Sequence, residues 1–131
     1  MPVSGEQAIG AGPVEGGVDL FAATTFTAAP IAGAGAVTVT KEIAETGYYQ
    51  IWGGVTITVT AAPRRATFFV SRGITARELD VGAVDDVSAP AYRFPTHEGW
   101  LAQFDEVKVA DLGGALGDAG EVYVCTRRLG R

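Results

Sequence analysis

Apolar and polar residues alternate along most of this chain with a period of two. Val37, Val39 and Ile43 alternate with Thr38, Thr40 and Glu42, and Lys41 interrupts the apolar face near its end. Val55, Ile57 and Val59 are interleaved with Thr56, Thr58 and Thr60. Successive side chains of a strand point to opposite faces of a sheet, so this pattern predicts half-buried β-strands. Further strands are expected over residues 18–28, 48–52, 66–71, 77–84, 91–94, 100–110 and 121–128. Between 100 and 110, Phe104 has one parity and Val107 and Val109 the other, which predicts a bulge or kink near Asp105. Gly53 and Gly54 separate two strand-like runs and read as a tight hairpin with a primed turn, or as a glycine bulge within one long strand. Breaker-rich runs at 30–35, 61–65, 85–90, 96–99 and 111–120 read as turns and loops. No segment sustains the i, i+3, i+4 spacing of an amphipathic helix.

The expected fold is therefore all-β: an antiparallel β-sandwich or jelly roll of about eight strands. Residues 1–17, rich in Gly, Pro and Ala, show neither period and read as an extended N-terminal arm. Residues 18–131 read as a single domain.

Charge narrows the partners. The chain has ten Lys and Arg against fifteen Asp and Glu, a net charge of −5. Phosphate neutralisation needs a positive patch, and the basic clusters Arg64 with Arg65, and Arg127 with Arg128 and Arg131, are short; no nucleic-acid partner is expected. Lys41 and Lys108 are the only lysines, a bias that fits planar, interface-style pairing. No run reaches the ~18 apolar residues of a membrane helix. No basic start or apolar leader opens the chain, so assembly in the cytoplasm is expected.

Most catalytic patterns are missing. Cys125 is the only cysteine and lies in an apolar run, so a buried inert thiol is expected and no Cys-based zinc site. His97 is the only histidine, which excludes two-His metal centres. A triad of His97 with Ser71 or Ser88 and Asp85 or Asp86 is formally possible, but no G-x-S-x-G elbow accompanies it. The expected place of His97 is a turn beside Pro95 and Gly99. No phosphate loop or dinucleotide fingerprint occurs. Asp85 and Asp86, with Asp111, Asp118 and Glu121, could offer oxygen ligands to Ca²⁺; solvated loop acids are the plainer expectation. No catalytic residue, cofactor or metal is assigned.

The residues expected at an interface are Tyr48, Tyr49, Trp52, Trp100, Arg64, Arg65, Arg127 and Arg128. Trp, Tyr and Arg carry a disproportionate share of binding energy at protein interfaces. Trp and Tyr, Tyr92 included, equally fill a sandwich core or stack on sugar rings.

Three stretches give the chain the style of a known group. They are the arm ending in GGVDL at 16–20, the run GYYQIWGGVTITVT at 47–60 leading to RRATFFV at 64–70, and the closing EVYVCTRR at 121–128. In these the chain resembles the small β-sandwich proteins of tailed-phage virions, of the capsid decoration or cement type. The resemblance implies a non-enzymatic virion protein, commonly a trimer, bound to the major capsid protein or another virion protein. The alternative is a carbohydrate- or receptor-binding domain of a tail fibre or spike.

Overall fold

The computed structural model describes residues 21–59, 64–84 and 90–130. Val55 and Ile57 are 2% and 1% exposed, while Thr56 between them faces solvent, so the alternation read from the sequence is the alternation of inner and outer faces. Nine strands form among the described residues, and no helix. They are β1 (Thr24–Ala32), β2 (Val37–Glu42), β3 (Gly47–Val59), β4 (Arg64–Arg72), β5 (Thr75–Val84), β6 (Ala91–Arg93), β7 (His97–Leu101), β8 (Glu106–Asp111) and β9 (Ala119–Gly130).

The strands make two antiparallel sheets. The first runs β1-β9-β3-β6, and β7 also pairs with β3; the second runs β2-β8-β4-β5. β7 lies along Gly47 to Ile51 of β3 and β6 along Gly54 to Thr56. Together they act as one strand broken around Pro95, so the nine pieces make an eight-stranded jelly roll. Phe68, Val107, Val109, Val122 and Val124 lie fully enclosed between the sheets. Phe68 stacks on Phe94 at 5.5 Å, and Tyr92 meets Phe94 edge-on at 5.1 Å. Each such side chain contributes about 1.5–3 kcal/mol by leaving water.

Several expectations are corrected. No hairpin forms at Gly53 and Gly54: β3 runs straight through them. Their lack of a side chain serves close approach instead, since a Cβ on Gly54 would collide with the Tyr92 carbonyl oxygen. The register shifts of β3 fall at Tyr48/Tyr49 and Ile57/Val59, not at the glycines. Pro30 does not break β1, because β1 is an edge strand and a missing N–H on its free side costs no ladder bond. His97 to Gly99, expected in a turn, open β7. The parity change near Asp105 marks a full turn: β7 belongs to the first sheet and β8 to the second. Phe104 in that turn adopts φ 75°. β9 runs past the strand end expected at 128, as far as Gly130, and Leu129 is buried. The arm at 1–17, the start of the expected strand at 18–28, and residues 61–63 and 85–89 lie outside the described residues.

Candidate functional site

The outer face of the first sheet carries an unusual set of side chains. Pairing aligns Phe26, Cys125 and Trp52 in one row across β1, β9 and β3. The next row is Ala28, Tyr123, Gly54 and Arg93. On the other side of the first row lie Thr24, Arg127, Gln50 and Glu98, and beyond them Tyr48 beside Trp100. Residues two apart share a face, so all of these point away from the core. Five aromatic rings thus stand on one outer surface: Phe26, Tyr123, Trp52, Tyr48 and Trp100.

The rings are ordered against one another. Phe26 stacks on Tyr123 at 5.7 Å, and Tyr48 meets Trp100 edge-on at 5.8 Å. The Arg93 guanidinium lies over the Trp52 ring at 5.7 Å. Phe26 and Trp100 remain 58% and 56% exposed. Cys125 has the outward parity yet is buried, because its row neighbours flank it; burial pushes its thiol pKa up. Burial likewise raises the Tyr123 hydroxyl pKa. The polar row between the two aromatic groups holds Gln50 and Glu98, and Glu98 accepts hydrogen bonds from Tyr48 and Gln50 at 3.4 and 3.5 Å. Charges of outward parity here are Arg93, Arg127, Glu98 and Glu121, which cancel. A face without net charge on a chain of net −5 has a low barrier to contact with another acidic surface.

The eight residues expected at an interface separate by this geometry. Tyr48, Trp52, Trp100 and Arg127 share the outer face, and the Arg127 Nε donates to the Ala22 carbonyl at 3.0 Å. Tyr49 has the opposite parity: it is buried, and its hydroxyl donates to the Glu45 carbonyl at 2.6 Å. Arg128 is held by the Glu45 carboxylate and the Thr46 carbonyl, both at 2.8 Å. Arg65 is exposed on the second sheet. Arg64 is not a surface residue: its side chain is wholly enclosed. Phe26 and Tyr123, central to the outer face, were not singled out from sequence; their shared parity with Cys125 and Trp52 becomes a signal only once β1, β9 and β3 are known to be neighbours.

Arg64 ties one end of the sandwich. Its Nε donates to Asp111 at 2.8 Å and its Nη1 to Asp118 at 2.7 Å. The same guanidinium reaches the carbonyls of Gly33 and Gly35 at 3.0 and 3.1 Å. Burial opposes its charge, and the Asp111 and Asp118 hydrogen bonds outweigh that, so its pKa lies above the ordinary value. Asp111 and Asp118 are therefore neither solvated acids nor free calcium ligands; a buried cation from the chain occupies them. No group of three or more candidate metal ligands occurs among the described residues.

At the opposite end, the turn between β7 and β8 is fastened by a two-pronged pair. Arg72 donates to both oxygens of Asp105 at 2.8 Å, and the Ala102 N–H donates to the same carboxylate at 2.7 Å. The Arg72 hydrogen bond holds the Asp105 pKa below the usual carboxylate range, against the opposing effect of burial. His97 Nε2 lies 2.6 Å from Asp80, bridging the two sheets. Ser71, one serine weighed for a triad, points to Glu106 at 3.3 Å instead of to His97.

A cleft of about 630 Å³ opens between β7 of the first sheet and β5 of the second. Its walls include Ile51, Val70, Leu79 and Leu101, with Arg77 and Trp100 also lining it. Among the described residues, β5 pairs only with β4 and β7 only with β3, so both strands flanking the cleft are sheet edges.

No protein-family model and no curated protein sequence matches the chain. Solved structures do. Murine APRIL at pH 8.5 superposes with a TM-score of 0.53 at 8% identity, over 80% of this chain and 100% of that one. The same protein at pH 8.0 gives 0.52, also at 8% identity and with the same coverage. Eiger TNF from S. frugiperda gives 0.48 at 14% identity, over 79% of this chain and 92% of that one. No phage capsid protein is identified among these neighbours. At such identities the likeness is one of fold alone: two antiparallel sheets packed as a jelly-roll β-sandwich, the fold shared with the APRIL structures.

Proposed function

We propose that this protein is a non-enzymatic assembly subunit, a homo-oligomeric decoration protein of a virion that binds the outer capsid surface. The aromatic outer face of the first sheet carries this reading. Four strands about 4.8 Å apart and nine residues of shared length at about 3.4 Å each present a plane of roughly 600 Å². That is of the order of the ~800 Å² per partner at a stable interface. The face joins aromatic anchors with balanced charge, the composition of an interface centre. The partner is the major capsid protein or another virion protein. Quantitative mass spectrometry of purified virions tests the reading: the chain is expected in constant ratio to the major capsid protein, and its absence from particles rejects it.

A second reading rests on the Tyr48–Trp100 pair, which sits beside Gln50 and Glu98. Aromatic rings next to an amide and a carboxylate form a platform for a sugar ring and its hydroxyls, as in a receptor-binding tail domain. A glycan array probed with wild type, Trp100→Ala and Trp52→Ala decides: a signal lost in Trp100→Ala supports it, and identical arrays dispose of it.

A further inference from the structure

The cleft between β5 and β7 has the chemistry of a socket for an extended segment. Its floor is apolar. Both bordering strands leave one row of backbone groups unpaired among the described residues, the edge to which a peptide adds as a further strand. Of the charged residues lining the cleft, Arg72 and His97 are held by Asp105 and Asp80, Glu98 accepts hydrogen bonds from Tyr48 and Gln50, and Arg77 makes no ion pair or side-chain hydrogen bond among the described residues. A segment that fits therefore carries apolar residues and at least one carboxylate.

The chain itself contains such a segment. Residues 1–20 hold Val3, Ile9, Val14, Val18 and Leu20 together with Glu6, Glu15 and Asp19, and no Lys or Arg. Fully extended, twenty residues reach at most about 70 Å. Where this segment joins the fold is informative. Thr24, at the start of β1, lies in one row with Arg127, Gln50 and Glu98, and Glu98 also lines the cleft. The start of β1 thus lies at the level of the cleft but at the opposite edge of the first sheet. Copies set side by side bring the β1 edge of one next to the β5/β7 edge of the next. That contact is head-to-tail, and a head-to-tail contact closes into a ring when its rotation allows.

From this the geometry points to an exchange: the cleft binds residues 1–20 of a second copy of this chain, with Arg77 meeting the acidic side chains. The inference rests on the reading of the chain as a self-assembling subunit and supplies the contact that reading needs.

Sedimentation velocity of the full chain over a concentration series tests it. Arg77 is exposed, so its variants keep the fold, which near-ultraviolet circular dichroism checks. Arg77→Glu is expected to weaken self-association about tenfold or more, as loss of a close charge pair at an interface does, and Arg77→Gln by less. Replacing Glu6, Glu15 and Asp19 by Arg weakens it comparably, and combining that with Arg77→Glu restores it. Unchanged association in Arg77→Glu overturns the inference. So does a wild type that is monomeric throughout, whether the cleft is then empty or filled by the chain's own first residues. If association persists in Arg77→Glu while Trp52→Ala with Tyr123→Ala loses co-sedimentation with the particle, the sheet-face reading stands and the exchange falls.

Discussion

Arg64 and Arg65 are adjacent, and a shift of one position along β4 decides opposite roles for them. Arg64 shares the inward parity of Ala66 and Phe68 and holds two buried carboxylates, while Arg65 faces solvent. Arg64→Leu leaves Asp111 and Asp118 enclosed without their cation, so a loss of about 3–5 kcal/mol is expected in urea unfolding; a loss within experimental error contradicts the clamp. Phe104 holds φ 75° with its ring 66% exposed, so it carries backbone strain with little packing in return. Phe104→Gly is expected to raise stability by about 1 kcal/mol, seen as a higher urea midpoint at unchanged slope. Asp105 sets an acid limit. Its folded pKa lies below its unfolded value of about 3.9, so its contribution is complete above that value and fades as pH falls through the folded one. Wild type is expected to lose stability below about pH 4 more steeply than Asp105→Asn, compared by urea midpoints at successive pH values. None of these pairings was legible in the sequence. Asp105, Asp111 and Asp118 look like ordinary loop acids until the register sets them beside Arg72 and Arg64.

The strands themselves were largely legible, because one face of each is buried and the period of two is written directly in Val55, Ile57 and the threonines between them. What failed was punctuation. Two adjacent glycines signal a turn when neighbours are unknown, but in β3 Gly53 admits the backbone of β9 and Gly54 the backbone of β6 and the ring of Tyr123. Gly54→Ala is expected to cost about 1–3 kcal/mol by forcing that backbone away, whereas a substitution at a true hairpin turn would change the register instead. Amide exchange along β3 distinguishes the two, since an unbroken strand keeps its protection on both sides of residue 54. The interrupted strand β6–β7 departs from the sequence pattern for a related reason. Pro95 puts the short strand 91–94 at an edge or end, and β6 is an edge strand, but the turn expected at 96–99 is instead where pairing with β3 resumes, at His97.

At the scale of the molecule, the two-sheet sandwich was legible from strand number and spacing, but the outer aromatic face was not. Its five rings come from β1, β3, β7 and β9, brought together only by pairing over long sequence separations. Trp52→Ala with Tyr123→Ala is expected to weaken binding to the particle by at least about 2 kcal/mol, measured by co-sedimentation, with Thr40→Ala on the second sheet as the unaffected control. The order of the first sheet has one more consequence, for synthesis of the chain. β9 lies between β1 and β3, so the last strand of the sandwich to be made must enter the middle of a sheet whose other members were made first. While β9 is still inside the ribosome, β1 has no partner and the inner side chains of β3 lack their neighbours. The first sheet therefore cannot form until β9 has left the tunnel, and the cooperative folding of the sandwich waits for that strand.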